Sequence, residues 1–248
     1  MLKKIFEALG ADKVFLSAVI LAGGSGSRFG GDRPKQFTEI NGKPVILHTL
    51  LAFEACPDVN EIIIVCRAGE EELYRAICER NGITKLSAAV SGGETRQQSS
   101  VRGFAKISEK ANYVAFHDGA RCLIKPETVS AVLKEARFSK SCAIAASAVT
   151  DTIKEKSSLD KVVKTLDRSI LAAAATPQIF YANVYRAAAF TAERDGYVGT
   201  DDASLAEKYG FEVRLVDCGR DNIKITYPED IIFAEAILAS REKEKNDV

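Results

Sequence analysis

The sequence has no surplus of either charge: 34 Lys and Arg stand against 34 Asp and Glu, for a net charge of zero. That balance excludes the broad basic face that nucleic acid or an anionic membrane surface demands, while leaving room for a local basic pocket. Histidine is scarce, with only His48 and His117, and no nucleophile–base pair of the kind used in covalent catalysis is visible. The six cysteines (Cys56, Cys66, Cys78, Cys122, Cys142 and Cys218) form no CxxC pair, and no histidine cluster stands at zinc spacing. Several lie inside apolar runs, as Cys66 does in EIIIVCR, and read as small buried hydrophobes in a reducing, cytoplasmic protein. No apolar stretch is long enough to span a bilayer. The opening MLKKIFEALGADK carries Lys3 and Lys4, but its apolar run is too short and broken for a signal segment. It reads as a short amphipathic extension ahead of the first strand. Repeats and linkers are also lacking, so residues 1–248 are expected to form one domain.

What is present is an alternation of strand-length apolar runs with helix-period segments, the sequence form of a βαβ fold around a parallel sheet. Strands are expected at Phe15–Ala22, Glu61–Cys66, Lys85–Val90, Tyr113–His117 and Cys142–Ala148. Their near-continuous hydrophobicity suits strands covered on both faces. Helices are expected at Pro44–Ala55, Glu70–Asn81, Thr95–Ser108 and Pro126–Ser139, with Pro44 and Pro126 in first-turn positions. The rhythm changes after Val149. Asp151–Arg168 alternates polar and β-branched residues around SSLD and predicts a protruding two-stranded hairpin arm. The chain then returns through TPQIF to helices near Ala182–Glu193 and Asp202–Tyr209, a strand at Glu212–Asp217, a helix at Pro228–Arg241 and a frayed REKEKNDV tail. The expected class is α/β, a Rossmann-like, mostly parallel sheet carrying a β-hairpin arm.

The strongest motif follows the first strand: LAGGSGSRFGGDRPKQ, Leu21 to Gln36. Gly23, Gly24 and Gly26 permit tight turns and leave backbone N–H groups open to an anion. Arg28 and Lys35 add two positive charges to the same loop, a combination suited to a triphosphate. The dinucleotide fingerprint GxGxxG fails at Phe29, and a Walker loop fails at Asp32 and Arg33. The second motif, FHDGAR, places Asp118 just beyond a buried strand, where a carboxylate could hold hydrated magnesium against phosphates or could merely start an Asp-Gly turn. His117 reads as an orienting or core residue more readily than as a base, and His48 as structural. In the third, SGGETRQQSS, glycine amides, Arg96 and Ser99 could meet a nucleotide, or the segment could be a plain capped helix start. TPQ, GTDDAS and DNIKIT follow later, the last with Lys224 inside an apolar alternation.

Taken together in this order and spacing, AGGSGSRFGGDRPKQF, GGETRQQSS, HDGAR, DT, DR, TPQ, TDDAS and NIKIT resemble the 2-C-methyl-D-erythritol 4-phosphate cytidylyltransferases, from about Ser17 to Leu238. The resemblance implies a fold of the nucleotide-diphospho-sugar transferase type. It further implies that Ala22, Gly23, Gly24, Gly26, Arg28 and Lys35 grip the phosphates of CTP, with Arg28 and Lys35 catalytic. Gly93, Glu94, Arg96 and Ser99 would meet the cytidine, Gly119 the ribose, and Asp118 would hold Mg²⁺. Asp151, Thr152, Arg168, Thr176 and Lys224 would surround the phosphate of a small polyol phosphate. The arm over 151–168 would reach a second subunit, implying a homodimer in which Thr152 and Arg168 serve the neighbour's site.

Two departures from the family pattern stand out, the second of them beside the expected acceptor pocket. Cys122 follows Arg121 where the family usually has Pro, and Leu171 with Ala172–Ala175 replaces a common LW-x-x-Q. The expected chemistry is attack by the acceptor's phosphate oxygen on the α-phosphorus of CTP, expelling pyrophosphate. Because a phosphate monoester is largely ionised near neutrality, with a second pKa of about 6, no general base is required. Three other readings are open: transfer to ribitol 5-phosphate, whose enzymes share the first loop; a sugar-1-phosphate nucleotidyltransferase using another nucleotide; and a silent nucleotide-binding module.

Overall fold

A computed structural model of the chain describes residues 14–24, 29–30 and 34–246. The amphipathic extension and the motif residues Gly26 and Arg28 lie outside the described residues. The apolar run LSAVIL forms β1 (Leu16–Leu21), buried except at its last residue. A 3-10 turn at Lys35–Phe37 follows, then a short ribbon of β2 (Glu39–Ile40) and β3 (Lys43–Pro44), and helix α1 (Val45–Ala55). Three strand–helix pairs come next: β4 (Val59–Cys66) with α2 (Glu71–Arg80), β5 (Leu86–Ser91) with α3 (Arg96–Phe104), and β6 (Tyr113–Asp118) with α4 (Pro126–Ser139). Then come β7 (Cys142–Ala148) and the hairpin arm of β8 (Lys154–Lys156) and β9 (Val162–Thr165). The five strands read from apolar runs are all present, as is the arm.

The sequence carries no strand signal over Ala172–Tyr181, yet the longest strand, β10, forms there. Four alanines favour helix and Pro177 has no N–H to donate, so local propensity argues against it. Tertiary pairing overrides propensity: β10 runs antiparallel between β6 and β7, and its register to β7 shifts between Ala174 and Gln178, which accommodates the proline. The chain ends with α5 (Ala182–Arg194), α6 (Asp202–Lys208), β11 (Val213–Asp217) and α7 (Asp230–Asn246). The expected frayed tail is therefore helical at least to Asn246. Its Glu and Lys residues are good helix formers, and Arg241 anchors the helix, donating to the carbonyl of Leu123 at 2.8 Å and to Asp221 at 2.6 Å. Helix α3 stops four residues short of the expected Ser108, because the chain leaves it in three-residue turns, Lys106 N–H to Gly103 O and Ile107 N–H to Phe104 O. Pro44 precedes α1 rather than opening it.

The main sheet has the order β11-β7-β10-β6-β1-β4-β5, and only β10 runs against its neighbours. Alternate residues of each strand serve opposite faces, as the pleat requires. Ala18, Ile20, Ile62 and Ile64 pack with Leu50, Phe53, Tyr74 and Val132 on one side. Val19, Ile63, Val65 and Phe116 pack with Phe180, Tyr185, Ala188 and Leu205 on the other. This double cover makes β1, β4, β5 and β6 rigid parallel rails. Their carboxyl ends open on one side of the sheet, where such folds bind ligands.

Candidate active site

The phosphate-type loop starts where β1 runs out. Ala22 N–H still donates to Val65 O at 2.7 Å, and the chain then passes close over β4. At Gly23 a Cβ would lie 3.3 Å from the backbone carbonyl of Cys66, so glycine permits this approach. Gln36 reaches back from the 3-10 turn, its Nε2 donating to the carbonyls of Ala22 (2.6 Å) and Gly24 (3.3 Å). Arg67, just beyond β4, donates to Gly24 O at 3.0 Å. These contacts turn the loop's carbonyls onto the protein. The N–H groups of Gly23 and Gly24 are left without partners among the described residues.

Opposite lies the start of α3. Thr95 and Gln98 form a capping box, the Thr95 hydroxyl accepting from Gln98 N–H and the Gln98 side chain accepting from the Thr95 N–H. Gly93 N–H donates to Ser99 Oγ at 3.0 Å, and a Cβ on Gly93 would meet the Gln98 side chain at 2.4 Å. The helix is thus capped in the ordinary way, and its cap also builds one wall of a cavity of about 430 Å³. Gly23, Gly24, Lys35 and Gln36 line one side, Gly93 to Arg96 with Ser99 another, and Asp118, Lys224 and Thr226 close the end. Three cations, Lys35, Arg96 and Lys224, face two acids, Asp118 and Glu94, which suits a polyanionic ligand.

Asp118 is the electrostatic centre. Lys224 Nζ donates to its Oδ2 at 2.7 Å, Arg96 Nε lies 3.6 Å from Oδ1, and Arg121 Nε lies 3.9 Å from Oδ2. Burial alone would raise its pKa, but Lys224, Arg96 and Arg121 together outweigh that and lower it to about 2. The carboxylate is ionised at any working pH. Its backbone is fixed from behind by His117, which is fully buried. Burial takes the His117 pKa down to about 4, so the ring is neutral. Its Nε2 lies 3.2 Å from Arg121 O, a pure acceptor, and must carry the hydrogen. Nδ1 therefore accepts from Thr176 Oγ1 at 3.0 Å, and that oxygen accepts the Asp118 N–H at 3.0 Å. His117 is an orienting residue. His48 is structural, with Nε2 donating to Ile40 O at 2.8 Å.

The residues expected from the sequence divide into three groups. Gly23, Gly24, Lys35, Gly93, Glu94, Arg96, Ser99, Asp118 and Lys224 all line the cavity. Ala22, Gly119 and Thr176 stand directly behind it: Gly119 N–H donates to Leu21 O, and the Thr176 hydroxyl is committed to His117 and Asp118. Asp151, Thr152 and Arg168 are exposed at the base of the arm and do not line the cavity. Lys224, read within an apolar alternation, sits outside any strand, and its charge is met by Asp118. The structure adds Gln36, Thr226 and Asp202 to the account. Gln36 adjoins Lys35 in a motif already visible, but an uncharged amide gives no signal of its own. In GTDDAS, the pattern does not tell which aspartate turns inward; Asp201 caps α6 and Asp202 is fully buried.

Comparison with known proteins points to the family that the ordered motifs resemble. The family model for 2-C-methyl-D-erythritol 4-phosphate cytidylyltransferase matches residues 16–240. A curated relative of that name from Rubrobacter xylanophilus is 44% identical over 227 residues, covering 91% of this chain and 96% of the relative. One from Syntrophus aciditrophicus is 40% identical over 226 residues, covering 91% and 96%. Among solved structures, the 4-diphosphocytidyl-2C-methyl-D-erythritol synthase of Anaerococcus prevotii superposes with a TM-score of 0.81 at 29% identity, over 92% of this chain and 97% of that one. The cytidylyltransferase of Thermus thermophilus gives 0.72 at 30% identity, over 89% and 97%. The fold, the ordered motifs and these matches make the chain a member of the 2-C-methyl-D-erythritol 4-phosphate cytidylyltransferase family.

Proposed function

We propose that this cavity joins CTP to 2-C-methyl-D-erythritol 4-phosphate, releasing pyrophosphate, as a step of non-mevalonate isoprenoid synthesis. The observation that carries the reading is the convergence of Lys35, Arg96 and Lys224 on one cavity beside the ionised Asp118. The loop amides of Gly23 and Gly24, with Lys35 and with Gly26 and Arg28 of the same motif, receive the triphosphate. Gly93, Glu94 and Ser99 meet the cytidine. Lys224 receives the acceptor's phosphate. An oxygen of that phosphate attacks the α-phosphorus in line; the new P–O bond forms as the bond to the β-phosphate's bridging oxygen breaks, and pyrophosphate leaves with that electron pair. The protein supplies position and charge.

Magnesium fits the donor set as an ion shared with the nucleotide. Asp118 offers one ionised carboxylate at the cavity, and the described residues hold no cluster of three ligands that would make a protein-only cage. Asp118 would hold it, and the ion would neutralise charge on the phosphates. The acceptor side is completed by a second copy of the chain, in a cytoplasmic homodimer whose arm brings Thr152 and Arg168 to the partner's cavity. Support comes from the arm's exposed Leu159, Val162 and Val163, with Ile170 just beyond it, apolar groups that a subunit contact would cover. A monomeric mass at assay concentrations would remove this part.

The test of the chemistry is its pH profile. His117 and Asp118 titrate near 4 and 2, so neither changes charge in the working range. Pyrophosphate release from CTP should therefore rise with pH through the acceptor's second ionisation, about 6, and stay level above it. A bell with an acid limb assignable to the enzyme, or release without acceptor, would count against attack by an already ionised phosphate.

A further inference from the structure

The most unusual group outside the cavity is Asp202, a carboxylate with no exposed surface, at the first turn of α6 beside the buried Tyr185. Its Oδ2 accepts from Arg96 Nη1 at 2.5 Å, while Oδ1 has no hydrogen-bond partner. The buried hydroxyls of Ser100 and Tyr185 lie beside it. Burying an ion in such a place is expensive, and a hydrophobic residue there would usually be at least as stable. The ion pair therefore calls for a reason other than stability.

Geometry offers one. Arg96 stands between two carboxylates: Nη1 is bonded to Asp202, and Nε is 3.6 Å from Asp118. Asp118 is already paired with Lys224 at 2.7 Å and has Arg121 nearby. Without Asp202, the nearest anion for Arg96 is Asp118, and the guanidinium would close on it. We infer that Asp202 is a positioning residue for the nucleotide: it holds Arg96 against the wall of α3, so that the remaining guanidinium edge faces the ligand and Nε stays at 3.6 Å from Asp118 instead of closing on it. Arg96 has no partner for Nη2 among the described residues. The same wall is braced by neighbouring contacts. Gln97 Nε2 donates to Tyr197 O at 3.1 Å, and Gly199 N–H donates to Gln97 Oε1 at 3.0 Å. Asp201 accepts from Gln178 at 2.6 Å. The segment 197–204 thus clamps the nucleotide wall to β10, and among the described residues Asp202 is its direct hold on a cavity-lining charge.

This inference rests on the reading of the cavity as the CTP site. The experiment is calorimetric titration of CTP, with magnesium chloride, into the wild type, Asp202→Asn, Arg96→Ala and the double variant, alongside steady-state kinetics. Asn keeps the shape and removes the buried charge, so the variant should fold; the titration stoichiometry reports the folded fraction independently of affinity. Asp202→Asn should weaken CTP binding about tenfold or more, raising KM for CTP more than it lowers kcat. Adding it to Arg96→Ala should change little, since the two act as one unit. Asp202→Glu, which keeps the charge, should recover part of the affinity. An unchanged Kd with lower stoichiometry in Asp202→Asn, or losses that multiply in the double variant, would show a structural role and overturn the inference. A wild type that does not bind CTP would instead overturn the reading of the site, and the inference with it.

Discussion

Replacing Lys35 with alanine is expected to lower kcat by about 10²–10³-fold, the usual loss when one preorganised transition-state donor is removed. The expectation follows from how the side chain is held. Lys35 sits on the 3-10 turn with 9% of its surface exposed, and its Nζ donates to Ile225 O at 2.7 Å across the cavity. Ile225 is in turn tied to the end of β6, its N–H donating to Ala120 O at 2.8 Å. The ammonium is therefore fixed by two separate segments before any ligand arrives, and little reorganisation remains for the moment of reaction. Charge accumulates on the phosphates as pyrophosphate departs, so the fixed cation counts for more in the transition state than in the ground state. Single-turnover and steady-state rates should both fall, with a smaller change in CTP affinity. Near-normal turnover in the purified variant would remove Lys35 from the catalytic role.

Asp118→Asn should produce a loss of similar size, about 10²–10³-fold in kcat, with an opposite sign for one binding constant. The carboxylate lies among Lys224, Arg96 and Arg121, and its negative charge is what those cations neutralise. Asparagine releases them. In the absence of magnesium, CTP, itself a polyanion, should bind the variant at least as tightly as it binds the wild type. With magnesium present the advantage should shrink, because the group proposed to share the ion is gone. Titrations in EDTA and in magnesium chloride, paired with turnover, separate the two effects. Weaker metal-free binding together with normal kcat would mean that Asp118 is only a structural counter-charge.

Most of the architecture was legible from periodicity, because β1, β4, β6 and β7 are largely buried and advertise it as apolar runs. The failure at β10 has the opposite cause: four alanines and a proline become a strand only because β6 and β7 supply partners on both sides. Within the site, charge and glycine were readable. Lys35, Arg96, Asp118 and Lys224 all converge as the motifs imply. Groups that act by holding others were not. Gln36 tethers the first loop through an uncharged amide, while His117 orients Thr176 and Asp202 holds Arg96 through contacts made across long stretches of sequence. The two departures from the family pattern also resolve differently. Cys122 is buried with Val45, Ala120 and Ile225, so a small apolar residue fills that place. Ala172–Ala174 are exposed at the end of β10, paired with Ala146–Ala148 beside the arm. The atypical segment therefore lies beside the arm, where the acceptor side is proposed, and not in the loop proposed for the nucleotide.

That placement makes the choice of acceptor the most direct measurement of the central claim. CTP and magnesium should be mixed with the enzyme and either 2-C-methyl-D-erythritol 4-phosphate or ribitol 5-phosphate, following pyrophosphate and the mass of the product. One pyrophosphate is expected per cytidine diphosphate product, with a kcat/KM for the methylerythritol phosphate at least ten times that for ribitol 5-phosphate, which requires only about 1.4 kcal/mol of discrimination. A preference for ribitol 5-phosphate, or pyrophosphate release with neither product formed, would contradict that claim.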